Sequence, residues 1–245
     1  MFASERFRLK DPSFIISSAK NKLLELWSSH STDDFASIYR RIRPYTMLSY
    51  CRLRGLFDAV GYVVNENIHG DLVECGSARG GSAALMGLTL RQLGARRTLR
   101  VFDTFEGLPS PNEKDPDFEV ANQYTGTCRG DIKEVESLFE NLGILSDCHL
   151  IKGLFQETLP REARREIAVL HIDGDWYDSV KVCLENLYDQ VAANGIIQID
   201  DYGYWEGARN AVHDFVRDRG IKINLKYIDY SGRQIVKGAK SEVLR

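Results

Sequence analysis

From Met47 onward the apolar positions Leu53, Leu56, Phe57, Val60 and Val64 recur three or four places apart, which predicts one packed helix. Short apolar runs then alternate with further helical patterns. Strands are expected at Asp71–Cys75, Thr98–Phe102, Cys148–Lys152, Ile167–Ile172 and Gly195–Ile199, and helices near 80–94, 132–142, 177–190 and 205–219. Strands separated by helices imply a parallel sheet covered on both faces, because a parallel connection needs a crossover long enough to hold a helix. The tail IKINLKYIDYSGRQIVKG changes character, with two β-rich runs flanking Ser231-Gly232, a turn signal for a closing hairpin. Residues 1–46 carry a weaker amphipathic pattern around Ile15, Ile16, Leu23, Leu24 and Trp27 and are expected to form a helical cap or partner surface. Residues 47–245 then make one α/β domain.

One connection departs from this economy. Residues 108–131, with three prolines and isolated aromatics at Phe118 and Tyr124, exceed the usual loop length, and such loops are functional or disordered. A mobile lid over a substrate and a plain surface loop are equally compatible with it.

Composition narrows the classes. A chain of 245 residues, 43% hydrophobic and 27% charged, can bury one substantial core. A net charge of −3 with basic residues scattered among acids argues against a nucleic-acid partner. The five cysteines are odd in number and form no C-x-x-C pair, so reduced, mostly buried thiols are expected. The stretch MFASERFRLKDPSF lacks the apolar core of a signal peptide, and no segment approaches the roughly 20 apolar residues of a membrane span. A cytoplasmic protein without membrane association is the expectation.

The first strand runs into Glu74-Cys75-Gly76-Ser77-Ala78-Arg79-Gly80-Gly81-Ser82 and then a helix. Glycines at such a turn let backbone approach a ligand, although many α/β proteins need them there for packing alone. The second strand ends at Asp103, where an acid can accept hydrogen bonds from a ribose diol. Together the two features point to a nucleoside site. Further on, Asp173-Gly174-Asp175 and Asp200-Asp201 follow strands that should be neighbours, at the carboxyl edge where open α/β sheets bind ligands. Carboxylates converging there repel unless a cation joins them, and a hard divalent ion such as Mg²⁺ satisfies oxygen ligands. Helix capping is the competing account of Asp175 and Asp201. His171 reads as a buried spacer within its strand, not a ligand.

These residues resemble those of the macrocin O-methyltransferase family, metal-dependent enzymes that methylate sugar hydroxyls of natural products. The likeness covers residues 45–237. It rests on Tyr45-Thr46-Met47, the Glu74 to Ser82 turn, Asp103 to Pro109, Lys152 to Phe155, Thr158-Leu159-Pro160, Asp173 to Asp175 and Asp200 to Gly203. The resemblance implies an α/β, Rossmann-like, seven-stranded class I methyltransferase sheet with a terminal antiparallel hairpin and an N-terminal helical extension. It implies that Thr46, Met47, Glu74, Gly76, Gly80, Gly81, Ser82, Asp103, Thr104, Phe105, Gly107, Gly153, Leu154 and Phe155 surround S-adenosylmethionine. Asp103 would hold the ribose, and Gly153 to Phe155 would lie near the adenine. Asp173, Asp200 and Asp201 would hold the metal, with Asp173 also the general base. The chain departs from its relatives at Ala78, where many carry a bulky aromatic, and at His171, where Arg is frequent. The partner implied is a glycosylated small-molecule hydroxyl acceptor, for an enzyme that forms homo-oligomers.

Three rivals remain. A catechol-type methyltransferase shares the metal logic but usually carries a lysine where this chain has Trp176. Tyr177-Asp178-Ser179-Val180-Lys181 spells the Y-x-x-x-K of short-chain dehydrogenases, yet the matching glycine turn is missing. A methyltransferase-like binding protein without catalysis would have lost its acids or blocked its glycine turn, and both are intact here.

Overall fold

The structure, a computed structural model, describes residues 11–162 and 164–238. Seven strands form one sheet in the order β3-β2-β1-β4-β5-β7-β6. They are β1 (Asp71–Cys75), β2 (Leu99–Asp103), β3 (Cys148–Lys152), β4 (Ile167–Ile172), β5 (Val191–Ile199), β6 (Lys226–Tyr227) and β7 (Arg233–Val236). The first five pair in parallel, and β7 runs antiparallel to both β5 and β6. This is the predicted sheet with its closing hairpin. β5 begins four residues before the expected Gly195, because its pairing with β4 jumps from Ile167↔Val191 to Val169↔Ile196 across an irregularity. β2 takes in Asp103, which pairs with Lys152.

The helices are α1 (Pro12–Ser28), α2 (Asp34–Ile42), α3 (Tyr50–Asn65), α4 (Gly81–Gln92), α5 (Ile132–Leu142), α6 (Tyr177–Leu187) and α7 (Glu206–Arg219). Side chains alternate across a strand, so Leu72 and Val73 serve different faces. Leu72, Val101, Val169 and Ile196 pack with α2 to α5, whereas Val73, Phe102, Leu170 and Ile197 pack with α6 and α7. Helix α3 buries Leu53, Leu56, Val60 and Val63 completely on one stripe, each contributing about 1.5–3 kcal/mol. Ser49 starts that helix by accepting a hydrogen bond from the Arg52 N–H.

The predicted amphipathic start of the chain does form helices, although residues 1–10 lie outside the described residues. Asp11 caps α1 ahead of Pro12. Ser17 accepts from the Tyr230 N–H, Phe14 stacks edge-on against Tyr230, and Asn21 accepts from the Cys51 N–H. These contacts tie α1 to the hairpin and to α3, while Ile16, Leu23 and Trp27 stay exposed. No helix among the described residues is long and apolar enough to cross a membrane.

Residues 108–131 are held more firmly than a free lid. Leu108 exchanges backbone hydrogen bonds with Gly126 and Thr127, Trp176 donates to the Pro109 carbonyl, and Asp115 accepts from the Tyr177 N–H at the start of α6. The segment carries a helical turn at Phe118–Ala121 and forms one wall of the cavity described next.

Candidate active site

All five parallel strands point their carboxyl ends at a cavity of about 370 Å³, within the range of small-molecule sites. At one end lie Gly76, Ala78, Asp103, Thr104, Gly107, Leu154, Phe155 and Gln156, around the turn that the sequence assigns to a nucleoside. A Cβ at Gly76 would fall 1.9 Å from the Asp173 carbonyl, so only glycine allows the turns after β1 and β4 to meet. Asp103 binds this turn directly: one carboxylate oxygen accepts from the Ser77 and Ala78 N–H groups at 2.7 and 3.0 Å, and the other from Phe105.

Several expected cofactor residues stand just behind this wall. Gly80 packs against Val135 and Phe139 of α5, and Gly81 packs against Tyr45 and Thr46. Ser82 and Phe105 are buried, and Gly153 lies beneath the wall, donating its N–H to the Asp103 carbonyl. Thr46 accepts from Leu48, leaving Met47 as the residue of that motif that lines the cavity. Glu74 is fully buried and bonded to His171, on the α3 side of the sheet.

The acidic end is built from Asp173, Asp175, Asp200 and Asp201. One oxygen from each of Asp173, Asp175 and Asp201 falls within 4.8 Å of the others, and His171, Asp173 and Asp200 form a second such group. Asp173 belongs to both. Burial and the neighbouring carboxylates Asp200 and Asp201 push the Asp173 carboxyl well above its ordinary range. Burial and Asp201 do the same to Asp175, and burial and Asp200 raise Asp201 to about 6. Asp200 goes the other way. Burial would raise it, but Arg52 and His171 outweigh that and hold it low. Such a set of crowded, protonation-prone oxygens fits a hard divalent cation.

The sequence placed Asp175 in the acidic cluster without giving it a role, and it did not single out Arg52, Tyr124, Trp205 or Ser231 as site residues; the structure brings all five to the cavity. Arg52 of α3 pairs with Asp200 and lies 3.4 Å from Asp229. Asp175 adopts a left-handed backbone (φ 54°), and its carboxylate accepts from the Trp205 indole N–H at 2.9 Å. Trp205 stacks edge-on with Tyr124, Trp176 and Tyr204 to make an aromatic wall. Ser231, at the hairpin tip, donates to the Asp200 carbonyl. His171, read as a spacer, is instead bonded on both ring nitrogens, with Glu74 Oε1 at 2.8 Å and Asp200 Oδ1 at 3.4 Å. A visible signal was present: in each of β1, β4 and β5 the last residue but one is polar amid apolar neighbours.

Residues 18–236 match the sequence profile of the family described as Macrocin-O-methyltransferase (TylF). The chain belongs to this family. As a macrocin-type O-methyltransferase it is 35% identical over 193 residues to an 8-demethyl-8-(2,3-dimethoxy-alpha-L-rhamnosyl)-tetracenomycin-C 4'-O-methyltransferase of Streptomyces olivaceus, covering 77% of this chain and 74% of that protein. It is 34% identical to a demethyldecarbamoylnovobiocin O-methyltransferase of Streptomyces niveus, with the same coverage of both chains. Among solved structures, the O-methyltransferase NovP superposes with a TM-score of 0.72 at 33% identity, over 79% of this chain and 82% of that one. The calicheamicin methyltransferase CalS11, at 19% identity and a TM-score of 0.66, shares the fold over 94% of each chain. The family match begins within α1, ahead of the motifs that carried the resemblance.

Proposed function

We propose that this methyltransferase moves the methyl group of S-adenosylmethionine to a hydroxyl of a sugar-bearing small molecule, with a divalent cation, Mg²⁺ in the first instance, held by Asp173, Asp200 and Asp201. The observation that carries the reading is a single cavity joining the Gly76–Asp103 turn to four convergent carboxylates. The rhamnosyl group in the name of the Streptomyces olivaceus relative points to the sugar.

Bound S-adenosylmethionine supplies the sulfonium methyl, and a divalent cation at the carboxylates supplies the Lewis acidity that makes an acceptor hydroxyl easier to deprotonate. The chain's own residues do the rest. Asp103 braces the turn that would meet the nucleoside, and Leu154 with Phe155 offers an apolar face to the adenine. Arg52 offsets part of the acidic charge. The proton is assigned here to Asp175, not to Asp173. Asp173 is shared by both carboxylate groups and would therefore serve the cation, whereas one oxygen of Asp175 is oriented by the Trp205 indole N–H and leaves the other to face the acceptor.

Assay of S-adenosylmethionine turnover against a panel of deoxysugar glycosides, with Mg²⁺ or excess EDTA, tests the reading. Turnover on a glycoside, abolished by EDTA and by Asp201→Asn with S-adenosylhomocysteine binding retained, is expected. Full activity in EDTA would overturn the role of the cation, and transfer to catechols alone would overturn that of the sugar.

A further inference from the structure

Four strands place one polar side chain each at a common level on the α3 side of the sheet. Register aligns Glu74 with His171, His171 with Gln198, and Gln198 with Gln234. The first three are fully buried, and a polar row in a sheet interior is costly unless its members find partners. Gln198 and Gln234 donate to the Arg52 and Gly55 carbonyls, anchoring α3. The other pair has no such anchoring task. Nδ1 of His171 faces Glu74 Oε1 at 2.8 Å, and Nε2 faces Asp200 Oδ1 at 3.4 Å, while Glu74 Oε2 has no hydrogen-bond partner among the described residues. An unpaired buried carboxylate oxygen is destabilising. Satisfying Glu74 is therefore not what the arrangement achieves; orienting the imidazole is.

We infer that His171, braced by Glu74, is a positioning residue that fixes the rotation of Asp200 for a divalent cation. Asp200 is gripped at both oxygens, Oδ1 by His171 from beneath and Oδ2 by Arg52 from the cavity side. Arg52 lines the cavity and shares its charge with Asp229, so its hold on Asp200 can yield to an incoming cation. The hold through His171 is buried instead, its ring fully enclosed and bonded to Glu74 of the neighbouring strand. Partners of this kind, one shell outside a metal ligand, are worth about ten- to a hundredfold in metal affinity.

The inference rests on the reading of the acidic cluster as a cation site, and the test separates the two. Mn²⁺ dissociation constants are measured by electron paramagnetic resonance on wild type, His171→Gln and His171→Asn, with S-adenosylhomocysteine affinity by calorimetry alongside. The amide nitrogen of Gln reaches the place of Nε2, and that of Asn the place of Nδ1. Expected is a loss of Mn²⁺ affinity of about tenfold or more in His171→Asn, largely rescued in His171→Gln, with S-adenosylhomocysteine affinity unchanged in both. Equal Mn²⁺ affinity in the two variants overturns the inference, because a filler role does not distinguish them. Loss of S-adenosylhomocysteine binding and of a thermal transition in both also overturns it, making His171 a fold determinant. Wild type that binds no Mn²⁺ removes the cation reading itself.

Discussion

Asp173 and Asp175 stand two residues apart, yet they are held in different ways. Asp173 follows the last paired residue of β4, its N–H bonded to the Cys75 carbonyl, and its carboxyl is common to both acidic groups. Asp175 turns through a left-handed conformation that Asp tolerates better than most side chains, and the Trp205 N–H fixes one oxygen. Their isosteric variants should therefore fail differently. Asp175→Asn is expected to lower kcat about 10²- to 10⁴-fold, the range of a lost general base, while Mn²⁺ binding persists. Asp173→Asn should lose both. Steady-state kinetics paired with Mn²⁺ titration distinguishes them, and an Asp175→Asn enzyme with near wild-type kcat returns the base to Asp173.

Among the elements, residues 108–131 depend on one carboxylate. Asp115 is 3% exposed and accepts from the Tyr177 N–H at 2.8 Å and the Asn112 N–H at 3.0 Å, so it caps α6 and closes its own loop at once. Gly207 of α7 leaves it room, since a Cβ there would fall 2.0 Å from Asp115 Oδ1. Asp115→Ala should cost about 1–3 kcal/mol in urea unfolding, and limited proteolysis should then cut within 108–131. A variant as stable and as protease-resistant as wild type would show that the loop is held by its other contacts. The strands and major helices were legible because apolar periodicity is local, and the carboxylates were legible because each follows such a run. The two-sided role of Asp115 was not, since its partner is 62 positions away and only the packed fold brings them together. Arg52 and Trp205 were hidden for the same reason, one on a helix ahead of the sheet and one at the start of α7. The glycines show the converse limit. Gly76, Gly80 and Gly81 look alike in the sequence, but Gly76 lines the cavity while Gly80 and Gly81 make room for α5 and for Tyr45–Thr46.

Across the whole molecule, the carboxyl edge of the sheet stores a charge imbalance that folding must carry. Asp201 is raised to about 6 from 3.8, and Asp173 and Asp175 move the same way. A carboxyl raised on folding favours its protonated form, so the cost is absent below about pH 4 and complete once pH passes its folded value. His171 is raised to about 9 from 6.5: burial alone would lower it, and its carboxylate partners Asp200 and Glu74 more than offset this. Its contribution is whole below pH 6.5 and is lost as pH rises through 9. Both effects make the cation-free protein less stable as pH rises from 5 to 9. A divalent cation cancels the first by stabilising the ionised carboxylates, and it binds only when they are ionised. Thermal unfolding in EDTA and in excess Mg²⁺ at matched ionic strength should therefore diverge with pH. The Mg²⁺ increment should be about 5 °C or more at pH 8 and within about 1 °C of zero at pH 5, since each kcal/mol is worth roughly 2–4 °C in a chain of this size. An increment that is the same at both pH values would mean that Mg²⁺ acts elsewhere than on these carboxylates.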